Sequence, residues 1–127
     1  MNLDHENLVY TGITEAVGDG VSCGQTAIND DVKFPYVNVQ MDDFYEVRET
    51  ADSSGEMKYA RVRFSVNVYS ITSKSETKKI MNKVREYMRN IGFMVTSEAP
   101  MQEGARNEIY RRVATFEATV SEDKVFL

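Results

Sequence analysis

The sequence predicts an α+β fold: a mostly antiparallel or mixed β-sheet with two helices packed on one face. Three observations predict it. Two stretches repeat apolar residues at spacings of three and four, as amphipathic helices do. Several others alternate apolar with polar residues, as strands with one covered face do. The strands also come in runs separated by the helices, which favours segregated layers over a doubly wound parallel sheet. A chain of 127 residues, 42% hydrophobic and 28% charged, is expected to be one domain, residues 1–127, around a single core.

From Asp4 to Val17, the residues Leu8, Val9, Ile13, Ala16 and Val17 form a helical stripe, with Asp4 as N-cap and Gly18 to Gly20 as its stop. Val21 to Ala27 reads as a short edge strand interrupted by Gly24. In "FPYVNVQMDDFYEVRET", Val37, Val39 and Met41 alternate with Tyr36, Asn38 and Gln40, and Pro35 is confined to the start because it cannot donate to a ladder. Small and polar residues from Arg48 to Lys58 predict a long hairpin loop. Ser73 and Glu76 have the S-x-x-E spacing of a capping box, and Ile80, Val84, Tyr87, Met88 and Ile91 form the stripe of a second helix that Gly92 ends. "FMVTSEAPM" is a short strand expected to break at Pro100, and "QEGARNE" a polar loop. In the closing strand, Tyr110, Arg112, Ala114, Phe116, Ala118 and Val120 alternate with Arg111, Thr115, Glu117 and Thr119. The expected order is α-β-β-β-α-β-β.

The longest strand poses the functional question. Ala60, Val62, Phe64, Val66 and Val68 form one face, which the helices must cover, while Tyr59, Arg61, Arg63, Ser65, Asn67 and Tyr69 form the other. Tyr and Arg with little Lys or Glu is the composition of a desolvated protein surface rather than of an ordinary solvated face. Arg61, Arg63, Arg111 and Arg112 either pair internally with Glu46, Glu108 and Glu117 or meet carboxylates across a subunit boundary. An uncovered sheet face is a surface that proteins tend to cover or pair, so Tyr59, Arg61, Arg63, Tyr69 and Arg111 are the candidate interface residues.

Known chemistry finds little footing. A net charge of −5 works against tight binding of a phosphate backbone. The acidic start "MNLDHENLVY" has neither the basic nor the apolar region of a secretory signal, and no apolar run reaches membrane-spanning length, so cytosolic synthesis is expected. His5 lies between Asp4 and Glu6, but consecutive helical side chains fan apart and cannot converge on one metal. Asp42 and Asp43 point to opposite faces of a strand and make a poor acid/base pair. Cys23 is the single cysteine; with the only histidine in the first helix and no oxyanion loop evident, it reads as a small buried or half-buried thiol. "GDGVSCG" lacks the Lys-Ser/Thr ending of a phosphate loop. No cofactor or metal site and no enzymatic activity is expected.

Taken in order, "FPYVNVQ", then "RVRFSVNVYS" leading into a capped helix, then "YRRVATFEATV" resemble the tail-terminator, or tail-completion, proteins of long-tailed bacteriophages, over Leu8 to Val120. The positions that carry the resemblance are structural: Pro35, Tyr69, Ser70, Tyr110 and Arg111. It implies a non-enzymatic virion protein, assembled in host cytoplasm, that forms a hexameric ring at the head-proximal end of the tail tube. The partners it implies are further copies of the chain, the tail-tube protein and the head-tail connector. A ring subunit needs two complementary surfaces, one supplied by Tyr and Arg, the other by acidic and apolar groups. Loop residues Glu49, Asp52, Glu56, Glu103 and Glu108 are expected to keep a DNA channel acidic or to touch an axial partner. The alternatives are another neck or head-completion protein of the same particle and a small ligand-binding module.

Overall fold

The structure, a computed structural model, describes residues 5–25, 33–46, 60–102, 109–120 and 125–126. Asp4, Tyr59, Glu49, Asp52, Glu56, Glu103 and Glu108 lie outside the described residues, and so does the whole Arg48 to Lys58 loop. The elements are α1 (His5–Val17), β1 (Ser22–Gly24), β2 (Tyr36–Glu46), β3 (Ala60–Ser70), α2 (Lys74–Asn90), β4 (Met94–Gln102), β5 (Tyr110–Val120) and β6 (Val125–Phe126). They form one sheet in the order β1-β2-β3-β5-β4, with β6 beside the end of β5. Every pairing is antiparallel except β1 with β2, so the sheet is mixed as the sequence predicts.

Both helices cover the apolar face. Val9, Ile13 and Val17 of α1 and Ile80, Met81, Val84 and Met88 of α2 meet Val37, Val39, Val62, Phe64, Val66, Val68, Ala114, Phe116 and Ala118 in one buried cluster. Phe64 and Phe93 pack edge-to-face with ring centroids 5.6 Å apart, the geometry that the aromatic quadrupole favours. Gly12 permits the helices to cross closely, because a Cβ there would meet the Tyr87 ring, with Oη only 1.8 Å away. Tyr87 is consequently half-buried rather than a full member of the stripe, and Thr77 and Met81 are buried in addition to the predicted positions.

Serine chemistry starts α2. Ser73 is extended (φ −169°, ψ 161°), and its hydroxyl accepts the Glu76 N–H at 3.1 Å. The expected reciprocal arm is rerouted. Ser70 Oγ accepts the N–H groups of Thr72 (3.0 Å) and Ser73 (3.3 Å) and donates to the Glu76 carboxylate. The end of β3 is thereby tied to the first turn of α2. Ser73→Ala is expected to cost about 1 kcal/mol in urea-induced unfolding, and Ser70→Ala a comparable amount, because each leaves an N–H group at the helix start without its acceptor. At the other end Gly92 takes φ +104° and its N–H bonds Arg89 O, while Phe93 N–H bonds Met88 O, which closes the helix as predicted.

Two expectations are corrected. Of the edge strand predicted over Val21 to Ala27, the described part, Val21 to Gln25, is strand only at Ser22–Gly24, which runs parallel to β2, while Thr26 and Ala27 lie outside the described residues. Pro100 does not break its strand: β4 continues to Gln102, because it lies at the edge of the sheet, where a residue without an N–H is tolerated.

Candidate assembly surface

Strand alternation puts Tyr36, Asn38 and Gln40 of β2 beside Tyr69, Asn67 and Ser65 of β3, and those beside Arg111, Val113 and Thr115 of β5, all on the face away from the helices. No described helix covers that face. Arg61, Arg63, Tyr69 and Arg111 share it, as predicted, but they behave differently from one another. Tyr69 is only 5% exposed and packs with Tyr36 and Ile109, against which Phe34 leans. The Tyr36 and Tyr69 rings lie 6.1 Å apart. The Arg111 guanidinium stands 5.8 Å over the Tyr69 ring and donates from Nε (3.0 Å) and Nη2 (2.8 Å) to Asn67 Oδ1. Asn38 and Asn67 are buried between these groups. One end of the open face is therefore a second, polar-aromatic core.

The other end faces solvent. Arg61 Nη1 donates to Thr119 Oγ1 at 2.9 Å, and exposed Tyr45 lies opposite it in the ladder. Arg63 pairs with Asp43 at 3.4 Å with both side chains more than two-fifths exposed, a geometry that contributes little stability in water. Asp42 accepts a short hydrogen bond from Ser65. The acidic partners of this face are thus Asp42 and Asp43, which the sequence marks only as a polar strand end. A register shift between Met41 and Asp43 inserts Asp42 as an extra residue, so a simple alternation fails to place the two carboxylates.

Arg112 belongs elsewhere. It pairs with Val68 in the ladder, on the helix-covered face, and donates from Nε to Glu98 Oε2 at 2.6 Å, while Arg85 of α2 reaches Glu98 Oε1 at 2.8 Å. These three side chains clamp α2 to the β4–β5 edge. The predicted arginine set is therefore split between two faces, and Glu98, the hub of the clamp, carries no signal in the local sequence pattern.

Catalytic options gain no geometric support among the described residues. Burial pushes the Cys23 thiol up from its ordinary value, which holds it protonated at neutral pH, and the neighbouring Tyr10 hydroxyl donates to the Cys23 carbonyl at 3.1 Å. A shallow groove of about 370 Å³ runs along α2, on the other side of the sheet, between Asn82, Arg85, Glu86, Arg89 and Asn90. No described helix is long and apolar enough to cross a membrane.

No family model matches the chain, and no curated protein does. Among solved structures, its fold is similar to that of a chain in the virion of a native gene transfer agent particle, with a TM-score of 0.62 and 15% sequence identity over 89% of this chain and 91% of that one. At that identity the likeness is one of fold.

Proposed function

We propose that the protein is a non-enzymatic structural component of a phage or phage-derived particle, and that it forms a homo-oligomeric ring capping the head-proximal end of a tail tube. The observation that carries this reading is a fold likeness to a virion chain that leaves almost nothing of either chain unmatched. The resemblance of the three strand segments to tail-terminator proteins supports the finer role. The molecular surface supports assembly: an open sheet face bears Arg61, Arg63 and Tyr45, and Phe44, Ile71, Met94 and Met101 are exposed, each at least 40%. The partners on this reading are further copies of the chain, the tail-tube protein and the head-tail connector.

Negative-stain microscopy of the purified protein tests it directly, with closed rings of uniform size expected. Arg63→Glu puts an acid between Asp43 and Glu117 in the ladder, and a ring that uses the open face is expected to lose mass by light scattering while its circular dichroism spectrum stays unchanged. A protein that remains monomeric at every concentration and leaves tail length and head joining intact when deleted would overturn the ring. A position in the neck rather than on the tail tube is the second reading, since the same fold likeness supports both; co-purification with connector but not with tube protein would favour it.

A further inference from the structure

Resting on the ring reading, we infer that neighbouring copies join edge to edge, the outer edge of β2 in one copy pairing with the outer edge of β4 in the next, and that Phe44 of one copy fills the hollow beside Arg89 and Val95 of the other. Four observations converge on it.

Both edges are open among the described residues, and at matching places. β1 covers β2 only at Tyr36, Val37 and Asn38, so β2 is free on that side from Val39 to Glu46. β4 is the last strand at the opposite end of the order. Following the ladders across the sheet, Glu98 is level with Ala114, Val66 and Val39, and Met94 is level with Glu117, Arg63 and Asp43. The free part of β2 is thus level with Met94 to Glu98. Pro100, which cannot donate, is level with Val37, where β1 already occupies the edge. The stretch of β4 unsuited to pairing falls where no pairing partner is available.

Strand direction agrees. Three antiparallel pairings in succession leave β4 running opposite to β2. Rotation about an axis roughly parallel to the strands preserves direction, so the β2 of the next copy meets β4 antiparallel and with the same face outward. A heterologous contact of this kind closes into a ring when the rotation closes, and closure removes both edges.

The side chains are complementary in charge and shape. The β2 edge carries Phe44 and Tyr45, which are 40% and 52% exposed, with Asp42 and Asp43 beside them, bonded to Ser65 and Arg63 on the open face. The β4 edge carries Met94 and Val95, 63% and 38% exposed, beside a hollow of about 170 Å³ walled by Arg85, Arg89, Phe93, Met94 and Val95. Arg85 and Arg112 share the one carboxylate of Glu98, and exposed Arg89 adds a further cation, so this corner is positive within a chain of net charge −5. Arg85 Nε is buried there with no hydrogen-bond partner.

Finally, Phe44 is level with Val62 and Ala118, one position beyond Met94, which is the level of Phe93 on the floor of the hollow. Alternation also puts Phe44 on the helix side of the sheet, the side on which the hollow opens. An aromatic ring entering it would stack under a guanidinium.

The test is a mixing experiment on the full chain. Phe44→Lys spoils the β2 edge and leaves the hollow intact; Arg89→Glu spoils the hollow and leaves Phe44 intact. Each variant alone is expected to sediment as a monomer where the wild type forms rings, with association weakened at least about 30-fold, as for loss of an interface anchor. Mixing the two restores association, because the intact hollow of one accepts the intact Phe44 of the other. Both residues are exposed, so circular dichroism and thermal unfolding should match the wild type. Rings that persist in both variants would overturn the edge contact while leaving the ring reading standing. Two monomeric variants that fail to complement would mean that the surfaces do not pair with each other. A wild type that never forms rings would remove the ring reading, and this inference with it.

Discussion

Phe64→Ala is expected to lower the unfolding free energy by about 3–5 kcal/mol, the largest single-residue loss in the core. Phe64 is fully buried, at the middle of β3, with Phe116 beside it in the ladder and Phe93 edge-on above it. Truncation removes the transfer free energy of the ring and leaves a cavity between a sheet and two helices that are fixed by their own hydrogen bonds and cannot collapse into it. Val84→Ala, on the helix above, removes two methyl groups and is expected to cost about 1–2 kcal/mol. Urea unfolding curves with unchanged slope check both values. If Phe64→Ala were to cost no more than Val84→Ala, the site would have to repack freely, and the close packing of the cluster would be refuted.

Glu98→Ala should be the most damaging change outside the apolar core, at about 2–4 kcal/mol, because it leaves two cations facing each other without their anion. The Glu98 and Arg112 side chains are only 14% and 16% exposed, and Arg85 is 33% exposed, so solvent screens the pair incompletely. The figure is set below that of a fully buried triad for the same reason. The diagnostic is a double variant: Glu98→Leu with Arg112→Leu should recover most of the loss, since replacing a charge cluster by apolar groups is often neutral, whereas removal of one partner is not. Double-mutant analysis giving strictly additive losses would show that the clamp is not coupled. Because the clamp also holds Arg85 at the rim of the proposed docking hollow, Glu98→Ala is expected to weaken ring formation beyond its effect on folding.

Much of this molecule was legible in local pattern. The apolar alternation of β3 and β5 gave the strands and the face that the helices cover, and the spacing of Ile80, Val84 and Met88 gave the face of α2. The S-x-x-E pattern and Gly92 marked the two ends of α2. These signals are readable because a helix or strand reports its own burial through its own period, 3.6 or 2, without reference to anything distant in the chain. Shared faces are legible on the same terms: Arg61, Arg63 and Tyr69 had to lie together once β3 was a strand.

What such patterns could not supply was the meeting of residues far apart in sequence. That Arg63 pairs with Asp43 depends on a register across β2 and β3 and on one inserted residue at Asp42; that Arg112 and Arg85 share Glu98 depends on where α2 crosses the sheet. Tyr69 reads as an interface residue from its strand alone, yet Tyr36 and Ile109 bury it, and Arg111 caps it. Pro100 reads as a strand end until the strand order places it at an edge, where its missing N–H costs nothing. Period and propensity are properties of neighbouring residues and are written in the order of the chain. Register, strand order and ion pairing arise only when separate segments are brought side by side, and among the described residues those long-range choices set which charges are buried and which remain exposed.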